Sequence, residues 1–199
     1  MLRFIFKFVL VLLLAIGASF VYRAVRSGDP TYSLYEWISP ARFQRFDRLI
    51  TAVAAEHNLD PMLVKAVVWQ ESRFDPNKYG SANERGLMQV TENAATEWAH
   101  ETKVDNFRVE ELFDPKTNLQ AGTWYLRRAT QHWSHQNNPI PFALAEYNAG
   151  ASRVLRWAGG SSGNISTRDF LASIDFPGTR NYVDSVIARY QFYKRRGRM

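Results

Sequence analysis

An apolar helix that ends in an acid constrains this chain more than any other feature. Asp60 suits an N-cap, and Pro61 suits a first helical turn, where its missing N–H costs nothing. From there Val64, Val67, Val68 and Glu71 recur at i, i+3, i+4 and i+7, the stripe that an amphipathic helix buries. Asp75-Pro76 closes the segment, because a residue before proline avoids the helical region. The spacing predicts a helix up to Ser72 with Glu71 in its last turn, half in the core. Desolvation and the negative end of the helix dipole both disfavour an ionised carboxyl there. An acid raised to a pKa of about 6–7 holds its proton near neutrality and can donate it, as a general acid must. For an isolated helix the plainer reading is a surface glutamate with its methylenes on the apolar face. The rest of the sequence reverses that preference.

Most other segments also read as helices. Phe43, Phe46, Ile50, Val53 and His57 share a face after Ser39-Pro40. Residues 74–87 hold Asp-Pro, two glycines, Asn and Ser, and read as a loop. A helix is expected over 92–100, and a longer one after Asp114-Pro115 with Leu119, Gly122, Leu126, Ala129 and Trp133 in register. Short helices follow over 141–147 and 154–158, before the glycine- and serine-rich stretch 159–163. Thr179 begins a last helix with Val183, Val186, Ile187 and Tyr190 facing inward. Period-two alternation and internal repeats are lacking in the sequence, so the expectation is an all-α domain over 40–199, preceded by a linker over 27–39.

Residues 1–26 are a separate matter. Arg3 and Lys7 precede an uncharged run from Phe8 to Tyr22 rich in Leu, Val and Phe, the pattern of an export signal. No Ala-x-Ala site ends the run, and Arg23 and Arg26 follow it. The expectation is an uncleaved N-terminal hydrophobic anchor helix, with the domain held outside the cytoplasm at the inner membrane; a cleaved signal would leave a secreted domain.

The net charge of +6 does not signal a nucleic-acid groove. Arg3, Lys7, Arg23 and Arg26 precede residue 28, where there are no acids, and Lys194, Arg195, Arg196 and Arg198 lie in the last six positions. The body between them keeps 17 basic against 19 acidic residues, a net of −2. The sequence contains no cysteine, which excludes disulfides, thiolate metal sites and a cysteine nucleophile. His132 and His135 are spaced i, i+3 but lack a third ligand at useful spacing, so they read as surface histidines rather than a metal site. No cofactor-binding motif is present, so none is expected, and the domain is read as a monomer.

Four short strings carry the chemistry: Glu71-Ser72, Gly86-Leu87-Met88-Gln89, Glu146-Tyr147-Asn148-Ala149-Gly150 and Thr179-Arg180-Asn181-Tyr182-Val183. In this order, with Asp114 to Gly122 between them, they resemble the motifs of the soluble-type lytic transglycosylases, glycoside hydrolase family twenty-three. The resemblance spans about residues 45–195. It implies a lysozyme-like helical fold and cleavage of the β-1,4 bond between N-acetylmuramic acid and N-acetylglucosamine in peptidoglycan. It also implies attack by the muramic acid's own C6 hydroxyl, leaving a 1,6-anhydro end. Ordinary glycosidases flank the bond with two carboxylates. The resemblance offers one, Glu71, as acid toward the leaving oxygen and then base toward the C6 hydroxyl; internal attack needs no second group to activate water.

The resemblance also implies substrate-binding roles for six further residues. Ser72 would hold Glu71 or a sugar group, Met88 and Gln89 would line the cleft, Tyr147 and Asn148 would orient substrate, and Tyr182 would position Glu71. On spacing alone Ser72 could be a helix-end residue, Met88 core filler and Tyr182 a packed tyrosine. Two departures stand out. The family's last motif carries a glutamate two residues before the arginine, where this chain has Gly178, which puts subsite affinity in doubt. Glu146 stands where relatives often have alanine, and is expected to charge the cleft rim or face solvent. The alternatives are a hydrolytic lysozyme resembling the goose type, with Glu146 activating water, and a non-catalytic wall-binding module.

Overall fold

The computed structural model describes residues 2–25, 35–36, 38–160 and 163–197. The expected linker and the middle of the Gly159–Gly163 stretch lie largely or partly outside them. The chain divides into two compact units, residues 1–42 and 43–199.

The first unit contains α1, Leu2–Val25. Its described apolar side chains stay open: Phe8 is 71% and Leu14 65% exposed. Among the described residues no helix is long and apolar enough to cross a membrane. A helix thus stands where an anchor is expected, without a membrane span among those residues.

In the second unit helices follow closely on one another. α2 (Pro40–Gln44) runs into this unit from residue 40 and is followed by α3 (Asp47–Glu56) and α4 (Pro61–Ser72). After a long loop come α5 (Glu92–Glu101), a 3-10 turn over Val109–Phe113, and α6 (Pro115–His132). α7 (Ile140–Ala149), α8 (Ala151–Trp157), α9 (Thr167–Ser173) and α10 (Pro177–Arg196) complete it. The only β-bridges among the described residues are two isolated ones, Tyr79 with Arg85 and Arg85 with Val90. The all-α expectation is borne out. The 3-10 turn and α9 were not anticipated, and α10 begins at Pro177, two residues ahead of Thr179, because proline is favoured in a first turn.

α4 differs from its expected form. Asp60 caps it as predicted, its carboxylate accepting from the N–H of Met62 at 2.8 Å. Yet every residue from Leu63 to Trp69 is buried, so the helix is enclosed on all sides rather than along one stripe. α10 packs along it and α3 lies against it. Even Lys65 is only 2% exposed, and its ammonium meets Asp47 at 2.7 Å. Asp75-Pro76 does not stop the helix. Arg73 does, in a left-handed conformation at φ 54°, with Phe74 following at φ 62°. Two consecutive non-glycine residues in that region fix how the chain leaves the end that carries Glu71.

α7 packs against both α6 and α10, so its C-terminal end comes to the same place as the end of α4. The loop between α4 and α5 completes the surroundings. At Gly86, with φ 76°, a Cβ would lie 2.3 Å from the carbonyl of Leu112 and from Nδ2 of Asn118.

Candidate active site

The end of α4, the loop after it, the end of α7 and the first turns of α10 enclose a groove of about 470 Å³. Gln70 and Glu71 line it from α4, Lys78, Glu84 and Gln89 from the loop, Tyr147 and Asn148 from α7, and Tyr182 from α10. Five of the seven residues singled out in the sequence are thereby brought together: Glu71, Gln89, Tyr147, Asn148 and Tyr182.

Glu71 is the centre of this arrangement. Its side chain keeps some surface open to the groove, while packed protein atoms crowd the carboxyl closely. Desolvation by that burial raises its pKa from 4.5 to about 7. Opposing this, the Tyr182 hydroxyl donates to Oε1 at 2.7 Å, and the charges of Lys78 and Arg73 favour the ionised form; Glu84 adds to the rise. Burial outweighs the donors, so the carboxyl is divided between its two forms near neutrality. Tyr182 is itself buried, and its pKa is driven well above the ordinary value of 10 by desolvation and by the adjacent Glu71, so it stays a donor.

The other residues are held in fixed geometries. The Tyr147 hydroxyl donates to the carbonyl of Met88 at 2.8 Å, so the ring rather than the O–H is left for the groove. Burial pushes the Tyr147 phenol well above its usual range as well. Oδ1 of Asn148 accepts from the Thr179 hydroxyl at 2.8 Å, which ties α7 to α10 and leaves the amide nitrogen as a donor. Gln89 takes a left-handed φ of 47° and donates its amide to the carbonyls of Lys78 at 3.1 Å and Gly86 at 3.0 Å. Its carbonyl oxygen remains an acceptor.

Two expected residues take other positions. Met88 is fully buried and is not among the residues lining the groove. Its thioether lies against Gly122, where a Cβ would approach Sδ to 2.6 Å, and accepts from the Thr123 hydroxyl at 3.6 Å. Glycine at 122 opens a space on α6 that the methionine fills. Ser72 is also buried, and its hydroxyl donates to the carbonyl of Val68 one turn back at 3.2 Å, away from any contact with the Glu71 carboxyl. Glu146 also differs from a solvent-facing residue. It is 7% exposed, with Oε2 accepting from Nδ1 of His132 at 2.8 Å and Nε1 of Trp133 at 2.7 Å. It does not face solvent; its carboxyl is held against the end of α6.

Sequence reasoning missed Asn118, Lys78 and Glu84. Asn118 is fully buried on α6: Oδ1 accepts from the N–H of Met88 at 2.7 Å, and Nδ2 donates to the carbonyls of Arg85 and Leu112 at 2.7 and 2.8 Å. These three bonds fix the Arg85–Met88 turn that delivers Gln89 to the groove. A polar residue on the apolar register beside Leu119 was the available signal. Lys78 donates from its ammonium to the carbonyl of Glu71, occupying a free carbonyl at the helix end. The carboxylate of Glu84 accepts from the N–H of Ala82 at 2.9 Å. Gly178 lies in the first turn of α10 with open space around it, so packing does not exclude a larger side chain there.

Residues 48–168 match the model of the Transglycosylase SLT domain. The soluble lytic murein transglycosylase of Salmonella typhimurium is 34% identical over 150 residues, covering 75% of this chain and 23% of the relative. That of Escherichia coli strain K12 is 37% identical over 130 residues, covering 65% of this chain and 20% of the relative. The crystal structure of the 70 kDa soluble lytic transglycosylase from Escherichia coli superposes with a TM-score of 0.70 at 30% identity, over 76% of this chain and 24% of that one. The chain therefore spans about a quarter or less of the length of these relatives. The matched segment carries Glu71, Gln89, Tyr147 and Asn148, while Tyr182 lies beyond it. This chain belongs to the Transglycosylase SLT domain family.

Proposed function

We propose that this chain is a peptidoglycan lytic transglycosylase that cleaves the β-1,4 bond between N-acetylmuramic acid and N-acetylglucosamine and leaves a 1,6-anhydromuramic end. The observation that carries the reading is Glu71: a buried carboxyl at the groove, raised to about 7 and held by a buried tyrosine, within a segment that matches the family model.

The chemistry follows from that state. Protonated Glu71 gives its proton to the departing glycosidic oxygen as positive charge grows on the ring. The carboxylate so formed is stabilised by the Tyr182 hydroxyl and then takes the proton of the muramic acid's C6 hydroxyl as that oxygen closes on C1. The proton lost in the first step is regained in the second, and no water is consumed. A pKa near the working pH suits both steps. Holding nucleophile and electrophile in one sugar removes the entropic cost of recruiting a second reactant. In this reading Asn148 and Gln89 offer an amide donor and an amide acceptor to the sugar substituents, and the Tyr147 ring offers an apolar wall. Ser72 and Met88 support the site from beneath rather than touching the glycan.

The domain acts in the cell envelope, with residues 1–26 as its membrane anchor. The exposed apolar side chains of α1 and the cationic Arg3 and Lys7 support that placement. Deletion of the first 27 residues is expected to move the protein from the membrane fraction to the soluble fraction; persistence in the membrane fraction after the deletion contradicts it.

Mass spectrometry of the muropeptides released from purified sacculi tests the reaction. Anhydro ends, lighter by one water than reducing ends, are expected. Reducing ends alone would favour the hydrolytic alternative, and wall binding without products the non-catalytic one.

A further inference from the structure

Glu146 takes no part in the mechanism above, yet it lies beside the groove. It contributes to a smaller pocket of about 130 Å³ together with Gln89, Thr91, Tyr125 and Tyr147. Gln89, Thr91 and Tyr147 also line the main groove, so the two hollows adjoin. Both N–H donors that reach Glu146 converge on Oε2, and no hydrogen bond to Oε1 is found among the described residues. With the side chain nine-tenths buried and part of the pocket wall, that second oxygen is the acceptor available to a ligand.

The rest of the wall points to the same kind of ligand. The rings of Tyr125 and Tyr147 meet edge to face with centroids 6.3 Å apart, giving the pocket an aromatic side. The Tyr147 hydroxyl is committed to Met88 and the Gln89 amide nitrogen to Lys78 and Gly86, so these residues contribute ring surface and an acceptor oxygen rather than donors. Arg128, whose guanidinium is 5.4 Å from the Tyr125 ring centroid, is bridged to Glu97. A carboxylate, aromatic rings and acceptor oxygens favour a cationic N–H donor over a hydroxyl, and repel an anion.

We propose that this pocket binds an ammonium group carried by the substrate, next to the bond being cut. The inference rests on the glycan-cleaving reading of the same groove. Two parts of a wall polymer supply such a group: the amine of a de-N-acetylated amino sugar, and the free amine of a diamino acid in a stem peptide. The pocket is small enough to take a substituent rather than a whole sugar.

Calorimetric binding to the Glu71→Gln full-length chain tests the proposal without turnover. One pair of probes is a partly de-N-acetylated β-1,4-linked N-acetylglucosamine oligomer and its fully acetylated form. The other is a disaccharide–peptide with a free diamino-acid amine and the same compound with that amine acetylated. In one pair the free-amine probe is expected to bind about tenfold tighter, and the pair that shows the preference identifies the source. Adding Glu146→Gln is expected to bring the ratio near one. Tyr125→Leu is expected to lower it several-fold with the Glu146–Trp133 bond left in place, so a loss of folding in one variant does not decide the matter. Equal binding within both pairs, or a preference that survives both substitutions, overturns the assignment. A wild-type chain that releases nothing from sacculi would instead overturn the parent reaction, because binding is read here in a chain that does not cut.

Discussion

Glu71 and Glu146 are both enclosed carboxylates near the C-terminal ends of helices, and their surroundings differ in kind. Glu71 receives one side-chain hydroxyl, from Tyr182, and its burial is otherwise offset only by more distant charge. Glu146 receives two N–H groups on a single oxygen, from His132 and Trp133. A general acid needs burial that its hydrogen bonds do not fully offset, and a groove through which a substrate oxygen can reach it. Glu71 has both.

Substitutions at the two positions should separate accordingly. Glu71→Gln keeps the shape and removes the transferable proton, so release of muropeptides is expected to fall by about 10²–10⁴-fold with an unchanged circular dichroism spectrum. Activity within a few-fold of wild type would break the comparison at its stronger end.

The same substitution has a thermodynamic consequence. The folded pKa of Glu71 is raised, so the protonated form is the one compatible with folding; its contribution is complete below about 4.5 and is lost as pH rises through about 7. At pH 8–9 wild type bears the cost of a desolvated carboxylate, about 3 kcal/mol from the size of the shift. Glu71→Gln is expected to melt higher than wild type at pH 8–9 and close to it at pH 4–5. Melting curves that differ by the same amount at both ends of that range would show the carboxyl to be solvated.

Glu146→Ala should behave in the opposite sense. It leaves the Trp133 N–H buried without a partner and opens a small void, a loss of about 1–3 kcal/mol in urea denaturation. Any muropeptides it releases are still expected to carry anhydro ends. A switch in product chemistry would mean that Glu146 takes part in the reaction.

The smallest effect is expected at Tyr182. Its hydrogen bond lowers the Glu71 pKa, so Tyr182→Phe should raise that pKa further and move the alkaline limb of the pH–rate profile to higher pH. The base step, which needs the ionised form, should slow by about tenfold, the worth of one hydrogen bond to a charged group. An unmoved limb would make Tyr182 a packing residue only.

What the sequence could and could not reveal follows from range. Asp60, Pro61 and the spacing to Glu71 are local, and they put the acid at a helix end. The αL turn at Arg73 that ends the helix has no such signature, since arginine is not a residue that favours it. The enclosure of α4 on all sides depends on α10, more than a hundred residues later, so an amphipathic stripe was the most that periodicity could give. Met88 reads as cleft lining within its motif, but its direction is decided by the space above Gly122 on α6. Glu146 finds its donors on residues His132 and Trp133 of the preceding helical segment, a pairing that only the packing of α7 against α6 creates. The residues that gather around Glu71 were found because their motif order carried long-range information that spacing does not.

The central claim is the protonation state of Glu71. Carbon-13 NMR of the chain labelled at glutamate side-chain carboxyls, with the Glu71 signal assigned by its loss in Glu71→Gln, reads that state directly. A midpoint at about 7 is the expected result; a midpoint near 4.5, the ordinary value for glutamate, would contradict the account.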